Sequence, residues 1–488
     1  MPELALKSVP GRWVLAATVL GSGMAAIDGT VVGIALPSIG RQFHAPLVTM
    51  QWVVTGYLLS LAALLLVGGT LGDLFGRRRV FCIGVVWFAL ASAACAAAPD
   101  AAALIVTRVL QGVGAALLVP GSLAIIQASY APDDRSRAIG AWSGLGGVAT
   151  AAGPLLGGYL VGAVSWRWIF VINLPVAVIV LAASVRHVPE TKAAGSPRLD
   201  FTGSVLTVVA LAGITYGLVE GPARGWTAPA VLSTLVVGTV AGIAFLVAEA
   251  RVTAPVVPLT IFRLRQFTVT NGLTLLVYAA LGGALFLLPV QLQVVDGYSP
   301  LEAGTSLLPL TLIMLLLSAR SGRLAARIGP RLQMSAGPLV VAVGMAMLAR
   351  TSDTSSYVSG VLPAVIVFGL GLAITVAPLT ATAMSSVPGD HAGLASAVNN
   401  EVARVGGLVA VAVLPALAGI GGDAYLHHAA LAHGFRTAVY IAAGWCAAGG
   451  ALAAVGIRNP APPRRRVEVQ LGPQWHCALD AAPLARRG

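Results

Sequence analysis

The run Gly69-Thr-Leu-Gly-Asp-Leu-Phe-Gly-Arg-Arg-Arg79 connects two strongly apolar stretches of the chain and holds three glycines, one aspartate and three arginines. About 20 uncharged residues precede it, enough for a helix to cross a bilayer. Glycine permits a tight loop, and arginines collect in the cytoplasmic loops of membrane proteins. The run therefore predicts a cytoplasmic loop between two membrane-spanning helices.

The whole chain has the composition of a membrane protein. Of its 488 residues, 57% are hydrophobic and only 10% are charged, with a mean hydropathy of +0.87. The surface of a soluble domain requires roughly 25% charged residues in the sequence. Apolar segments of about 20 residues recur as far as residue 457, and they predict an all-α polytopic membrane protein with about 14 spans.

The net charge of +12 would suggest a nucleic-acid partner if the protein were soluble. Here the basic residues gather in the loops on one side of the predicted spans, together with both chain ends. Because positively charged loops stay in the cytoplasm, this pattern predicts cytoplasmic termini, a lipid bilayer around the chain and no nucleic-acid partner. The four cysteines have no metal-ligand or disulfide spacing.

The chain contains an internal repeat. At a constant spacing, three residues of the opening run recur in a second basic loop, with a looser repeat of a Gly-x-Gly pattern: Gly69, Leu71 and Gly76 as Gly322, Leu324 and Gly329, and Gly112 and Gly114 as Gly369 and Gly371. Parallel repeats of this kind occur in transporters built from two similar halves. The spacing predicts two six-helix halves around an inserted helix pair.

The predicted organisation follows from the position of this repeat. It comprises a cytoplasmic N-terminus at 1–12, a first six-helix half at 13–186, a cytoplasmic linker at 187–200, two inserted helices at 201–249, a second six-helix half at 250–457 and a basic cytoplasmic tail at 458–488.

Several motifs, in order along the chain, resemble those of the major facilitator superfamily and its fourteen-helix drug:proton antiporters. The opening run is similar to the signature loop of that superfamily, and the matching residues are Gly69, Asp73, Gly76, Arg77 and Arg78. Further similar motifs lie at 27–37, 108–112, 166–175 and 393–404. The fifth-helix antiporter motif matches at Gly153, Pro154, Gly157 and Gly158, although Ala149 stands where another glycine is usual.

The resemblance implies the major facilitator fold and a proton-driven exporter of antibiotics or other lipophilic or amphipathic toxic compounds. It implies a multi-pass protein of a bacterial plasma membrane that confers drug resistance, acts as a monomer and needs no metal or cofactor. The residues alone also argue against an ATP-driven pump, because neither Lys7 nor Lys192 follows a glycine as in a phosphate-binding loop. A proton-coupled uptake symporter and a membrane-embedded enzyme stay as alternatives.

Charged residues inside apolar helices are costly, and they usually mark an ion pathway or a buried pair. Four such residues are predicted to couple proton and substrate movement: Asp28, Arg108, Glu401 and Arg404. Asp28 is expected to lack a basic partner and so to exchange a proton for a cationic substrate. Glu401 and Arg404 either neutralise one another at i, i+3 or act in transport. Glu220, near a helix end, is expected to be solvated.

The two loop and helix motifs allow two interpretations each. Asp73 is interpreted as half of a charge latch that breaks when the halves move, rather than as part of a simple interfacial anchor. Its counterpart in the repeat is Ala326, so the latch is expected on one side only. The segment 153–158 is either a packing face of small residues or, because Pro154 bends the helix, part of a moving gate.

The arginine distribution predicts where both ends of the chain lie. Reporter fusions placed after Arg198 and after Gly488 should both report the cytoplasm, because fourteen spans return the chain to the side on which it starts. An external reporter at Gly488 would contradict the predicted topology.

Overall fold

The computed structural model describes residues 4–193, 200–252, 258–350, 356–388, 392–421 and 427–459. Within these ranges, fourteen helices are long and apolar enough to cross a membrane, as predicted. They are α1 Val9–Phe43, α2 Leu47–Phe75, α3 Arg77–Ala97, α4 Ala101–Ser129, α5 Pro132–Ala163, α6 Trp168–His187, α7 Phe201–Arg224, α8 Pro229–Arg251, α9 Arg265–Val294, α10 Pro300–Ile328, α11 Pro330–Leu348, α12 Val361–Ser385, α13 Gly393–Leu417 and α14 His428–Gly456. Parts of the predicted linker and basic tail, 194–199 and 460–488, lie outside the described residues.

Local sequence determines where several of these helices begin and end. Helix α1 begins at Val9, ahead of the predicted boundary at residue 13, because the Ser8 hydroxyl accepts a hydrogen bond from the Gly11 amide at 3.1 Å. Gly76 separates α2 from α3 with φ 114°, and Gly329 separates α10 from α11 with φ 86°. Residues other than glycine rarely adopt these backbone angles. Glycine at both positions explains why the loop motif repeats.

The internal repeat is also visible in how the helices pack. At four glycines an added Cβ atom would lie within 3 Å of a neighbouring helix, a distance that only glycine tolerates: Gly112 against Tyr57 of α2, Gly114 against Phe88 of α3, Gly369 against Leu310 of α10 and Gly371 against Val341 of α11. Helix α4 therefore contacts α2 and α3 as α12 contacts α10 and α11. In both six-helix groups these close contacts use glycine, as is common between membrane helices.

We call the face that holds the start of α1 and the end of α14 the terminal face, and the other end the opposite face. Among the described residues, every hydrogen bond between the first six and the last six spans lies near the opposite face. The Gln51 side chain donates to the carbonyl oxygens of Val411 at 2.8 Å and Ala412 at 3.3 Å, and Gln293 donates to that of Ile34 at 2.9 Å. Both glutamines are buried.

Toward the terminal face the two groups of six spans separate. In α5, an added Cβ atom at four glycines, 140, 144, 146 and 147, would have no heavy atom of the described residues within 4 Å. Closer to the opposite face, Gly158 of the same helix lies against Pro300 and Leu301 of α10. Among the described residues, the hydrogen bonds and close glycine contacts between the two groups therefore lie toward the opposite face.

The inserted pair α7 and α8 packs against the outside of α2 and touches α13. The two helices approach closely where Gly213 lies against the Thr234 carbonyl oxygen, 2.6 Å from an added Cβ atom. Near the opposite face the Trp52 indole donates a hydrogen bond to Glu220 at 2.8 Å. Glu220 is buried, so the prediction that it is solvated was wrong; α2 covers it and supplies a donor.

The hydrogen bonds of Gln51 predict a shift in conformation when they are removed. Gln51→Leu should favour separation of the two groups at the opposite face about fivefold, because a hydrogen bond contributes about 1 kcal/mol. A cysteine placed at the buried Val411, in a background without the native cysteines, should then react faster with a membrane-impermeant maleimide. The control is Gln42→Leu, because Gln42 accepts from Trp166 within the first six spans. Equal reaction rates in the two variants would contradict the conclusion that Gln51 holds the two groups together at the opposite face.

Candidate functional site

Asp28 and Arg108 form an ion pair in the interior of the first six spans. The Arg108 Nη1 atom donates to the Asp28 Oδ2 atom, and the side chains are 0% and 1% exposed. The prediction that Asp28 lacks a basic partner was therefore wrong. The two residues are far apart in sequence, and they meet because α4 packs against α1.

The second oxygen of the Asp28 carboxylate is also satisfied. Its Oδ1 atom accepts hydrogen bonds from the side-chain amides of Gln111 at 2.8 Å and Asn173 at 3.2 Å. The same two amides donate to the Ser92 hydroxyl at 2.7 Å and 3.2 Å. All four side chains are buried. Helices α1, α3, α4 and α6 thus join in one polar network around a single carboxylate.

The Arg108 guanidinium is held by contacts from two further directions. Its Nε atom donates to the Val53 carbonyl oxygen of α2 at 3.1 Å. Its centre lies 4.3 Å from the ring centroid of Tyr57 and 5.7 Å from that of Phe170. A buried charge is tolerated only with a counter-charge and satisfied donors, and an aromatic face adds to its stability. These contacts supply all three.

Sequence reasoning missed Gln111, Asn173 and Ser92 as members of this network. Each is a polar side chain inside an apolar span, which is the signal that could have found them. Gln111 and Asn173 even lie inside two of the quoted motifs. Loss of the Asp28 charge would remove the counter-charge of Arg108, so the two side chains depend on one another.

Glu401 and Arg404 lie elsewhere, in α13 of the last six spans, and they form no ion pair within the described part of the chain. No residue in the described ranges donates a hydrogen bond to the buried Oε2 atom of Glu401. Glu401 lines a small cavity of about 50 Å³ between α2, α7, α8 and α13, together with Asp200, Glu249 and Thr70. The structure does not bring the predicted coupling residues into one site: Asp28 and Arg108 form a buried pair, whereas Glu401 lines a separate cavity.

The predicted gating loop is stabilised within the first six spans. Asp73 accepts a hydrogen bond from the Arg77 Nε atom at 2.9 Å and forms an ion pair with the Nη2 atom at 2.8 Å, and both side chains are partly exposed. The backbone amides of Arg78 and Arg79 each donate to the Glu190 carboxylate at 3.1 Å. Glu190 thereby caps the start of α3, a role the sequence analysis missed.

The second loop of the repeat is capped in the same way. The Arg331 amide at the start of α11 donates to the Asn459 side chain at 3.0 Å. Glu190 and Asn459 each follow the last helix of a six-helix group by the same number of residues. An added Cβ atom at Gly76 would lie 2.6 Å from Glu190, and one at Gly329 would lie 2.2 Å from Asn459, so glycine is needed for both caps.

Not every residue of the loop motif makes such a close contact. An added Cβ atom at Gly69 would be 3.7 Å from Pro120 of α4, an ordinary van der Waals distance. Gly69 is thus a packing residue of α2, one helical turn before Asp73.

The antiporter motif in α5 lies between α1 and α10. Added Cβ atoms at Gly153 and Gly157 would meet Thr30 at 2.0 Å and Val31 at 2.5 Å, both in α1. On the other side, an added Cβ atom at Gly304 of α10 would lie 2.2 Å from the Pro154 carbonyl oxygen. With Gly158 against α10 as well, the motif forms part of the contact between the two groups of six spans. It is a packing face at the place where the groups meet.

These features define a fourteen-helix membrane protein with two similar six-helix groups and a buried charge pair. The family model described as Major Facilitator Superfamily matches residues 18–411. The chain is 37% identical over 418 residues to a tetracenomycin C resistance and export protein of Streptomyces glaucescens, covering 85% of this chain and 77% of that protein. It is 37% identical over 453 residues to a puromycin resistance protein of Streptomyces alboniger, covering 89% of each.

Solved structures agree with this fold. A bacterial homologue of the human lysosomal transporter Spinster superposes with a TM-score of 0.64 at 17% identity, over 92% of this chain and 97% of that one. A peptide transporter POT in complex with sulfate superposes with a TM-score of 0.66 at 14% identity, over 92% and 98%. The chain belongs to the Major Facilitator Superfamily, as a multi-pass protein whose relatives include resistance and export proteins of bacteria.

The buried pair predicts a characteristic pattern of stabilities. Asp28→Asn and Arg108→Gln should each lower the free energy of unfolding by about 3 to 5 kcal/mol. Each variant leaves the charge of the other residue buried without its counter-charge. The double variant should recover most of that loss. Asp73→Asn serves as the control, because its pair with Arg77 is partly exposed and contributes about 1 kcal/mol or less. The measurement is thermal unfolding of the purified protein, and a double variant less stable than both singles would contradict the expectation.

Proposed function

We propose that the protein is a proton-driven exporter of antibiotics or other lipophilic compounds and that it confers resistance to them. The observation that carries the proposal is the buried Asp28–Arg108 pair in a chain whose relatives are named for resistance and export. Those relatives are matched over 77% and 89% of their length. Small organic molecules are accordingly the substrates, and no chemical step on them is needed.

The terminal face is the cytoplasmic one in this proposal. The basic residues Arg77, Arg78 and Arg79 lie on it, and positively charged loops remain in the cytoplasm. The gap between the two groups of spans then opens to the cytoplasm, and the contacts of Gln51 and Gln293 close the external side. This is the state in which an exporter takes up its substrate.

Asp28 is the proposed site of proton exchange, acting through Arg108 rather than on the substrate directly. Its carboxylate is fully buried and surrounded by protein donors, so a cationic substrate does not reach it in this state. A proton arriving from outside would neutralise the Asp28 carboxylate and release Arg108, which would weaken the contact between α1 and α4. Loss of that proton to the cytoplasm would restore the ion pair. A change in helix packing of this kind can couple the proton gradient to alternating access.

Glu401 is proposed as a second acid that acts in the cycle. It lies in α13 beside α2, the helix that also carries Gln51, and none of the described residues donates to its Oε2 atom. Its cavity is near the cytoplasmic side, where the two groups separate. Loss or gain of a proton there would change the charge at the boundary between the groups, beside the positive charge of Arg404.

We further propose roles for the loop at 69–79 and the antiporter motif at 153–158. They would distinguish the state open to the cytoplasm from the state open to the outside. Asp73 has Arg77 as its partner while the cytoplasmic side is open. Closure of that side would offer the Asp73 carboxylate a partner in the last six spans. The small residues 153–158 would allow α5 to part from α10 and return. The two six-helix groups would move as units around them.

The test of transport uses an efflux-deficient bacterial host and everted membrane vesicles. Expression should raise tolerance to one or more compounds of a panel that contains tetracenomycin C, puromycin and methylenomycin A, and vesicles should accumulate that compound when a proton gradient is imposed. The double variant Asp28→Asn/Arg108→Gln, which is expected to keep most of its stability, should insert but lose the gradient-driven accumulation. Undiminished accumulation would remove the pair from the mechanism. Loss of compound from the vesicles would instead identify an uptake symporter.

Glu401 has a separate expected outcome. Glu401→Gln should leave the protein folded and slow transport at least about tenfold, because the amide cannot release a proton. Glu302→Gln is the matched control, since Glu302 is exposed and only caps the start of α10. Equal transport rates in the two variants, measured in proteoliposomes with a pH-sensitive dye, would show that Glu401 is not a coupling residue.

A further inference from the structure

An apolar groove of about 570 Å³ lies between α2 and the inserted pair, away from the charge network. Six residues represent its walls: Trp52, Leu59, Val208, Ala212, Tyr216 and Val237. From Val208 to Tyr216 the groove follows α7 for about 12 Å. Its volume is in the range of small-molecule binding sites, which is about 300 to 1,000 Å³.

The groove opens toward the hydrocarbon of the membrane. Val237 in its wall is 54% exposed, and Val236 and Val240 beside it on α8 are similarly exposed. These residues lie inside membrane-spanning helices, so their exposed surface faces lipid. On α2 the groove uses the face of Trp52 and Leu59, whereas Val53 and Tyr57 on another face contact Arg108. Helix α2 therefore separates the groove from the buried pair.

A polar group lies directly beyond the end of the groove at the opposite face. The rings of Trp52 and Tyr216 are 5.9 Å apart and form that end. One and two turns further along α7, on the same side, lie Glu220 and Arg224. Glu220 accepts hydrogen bonds from Trp52 at 2.8 Å and from the Arg224 Nε atom at 2.6 Å. Arg224 ends the helix and its side chain is 56% exposed.

This arrangement combines the apolar groove with the Arg224 guanidinium, which lies where α7 ends. Glu220 is buried and both of its oxygens have donors, so its hydrogen bond orients Arg224 while leaving the rest of the guanidinium accessible. An accessible guanidinium is well suited to bind a phosphate through two parallel hydrogen bonds. Tryptophan is also enriched where a helix crosses the membrane interface.

We propose that the groove is a binding site for a phospholipid of the leaflet at the opposite face, with one acyl chain between α2 and α7–α8 and the phosphate on Arg224. The apolar walls select an alkyl chain, and the exposed guanidinium selects an anionic headgroup. The lipid would fill the space between the inserted pair and the first six spans. This site does not depend on the direction of transport or on the transported compound.

The experiment uses the full chain in liposomes and a phosphatidylglycerol that carries a photoreactive diazirine in one acyl chain. Light should label Leu59, Ala212 and Val237, and unlabelled phosphatidylglycerol should compete with the probe. Ala212→Phe fills the groove and should lower this labelling about tenfold. The matched control is Val240→Phe, which adds the same ring to a lipid-facing position outside the groove and should leave the labelling unchanged.

A second probe separates the headgroup from the chain. Arg224→Gln should lower labelling by the phosphatidylglycerol probe about tenfold, yet leave labelling by a fatty alcohol with the same diazirine chain unchanged. Labelling that cannot be competed, or that is equal in Ala212→Phe and Val240→Phe, would overturn the proposal and indicate ordinary contact with bulk lipid. Displacement of the probe by the lipophilic cation ethidium would also overturn it, and would assign the groove to a transported compound.

Discussion

The first six spans are organised around a charge that could not be buried alone. Asp28 in α1 is 0% exposed, and the cost of placing an isolated carboxylate there is far larger than the stability of a typical protein. Arg108, Gln111 and Asn173 satisfy its two oxygens from α4 and α6. Each of these donors must be within hydrogen-bond distance, so the positions of the helices are fixed relative to one another. The contacts of this one carboxylate thus hold several helices in place.

The structure restricts where the two groups of spans touch. Near the opposite face they share glutamine-to-backbone hydrogen bonds and the close contacts of Gly158 and Gly304. Near the terminal face each group instead closes its own loop, with Glu190 capping one helix and Asn459 the other. Each group is therefore self-contained on one side and joined to its partner on the other. That difference is what a rocking movement of two rigid groups requires.

The inserted pair is joined to this assembly differently. It packs on the outside of α2 through an apolar groove, a tryptophan-to-carboxylate hydrogen bond and a small cavity that holds Glu401. Because α2 also carries Gln51 and the carbonyl group that binds Arg108, it contacts the charge network, the last six spans and the inserted pair at once. Helix α2 is accordingly the element that connects the inserted pair to both groups.

The sequence by itself determined the number of spans, the repeat and the loop motif, because hydrocarbon thickness sets helix length and a positive φ at Gly76 and Gly329 requires glycine. It also identified Asp28 and Arg108 as costly charges. Only the tertiary structure decided that they are partners, that Gln111 and Asn173 join them, that Glu401 does not pair with Arg404 and that Glu220 is buried. The reason is that helix contacts between residues distant in the chain depend on which faces meet, and apolar spans in lipid carry little periodic pattern to specify those faces.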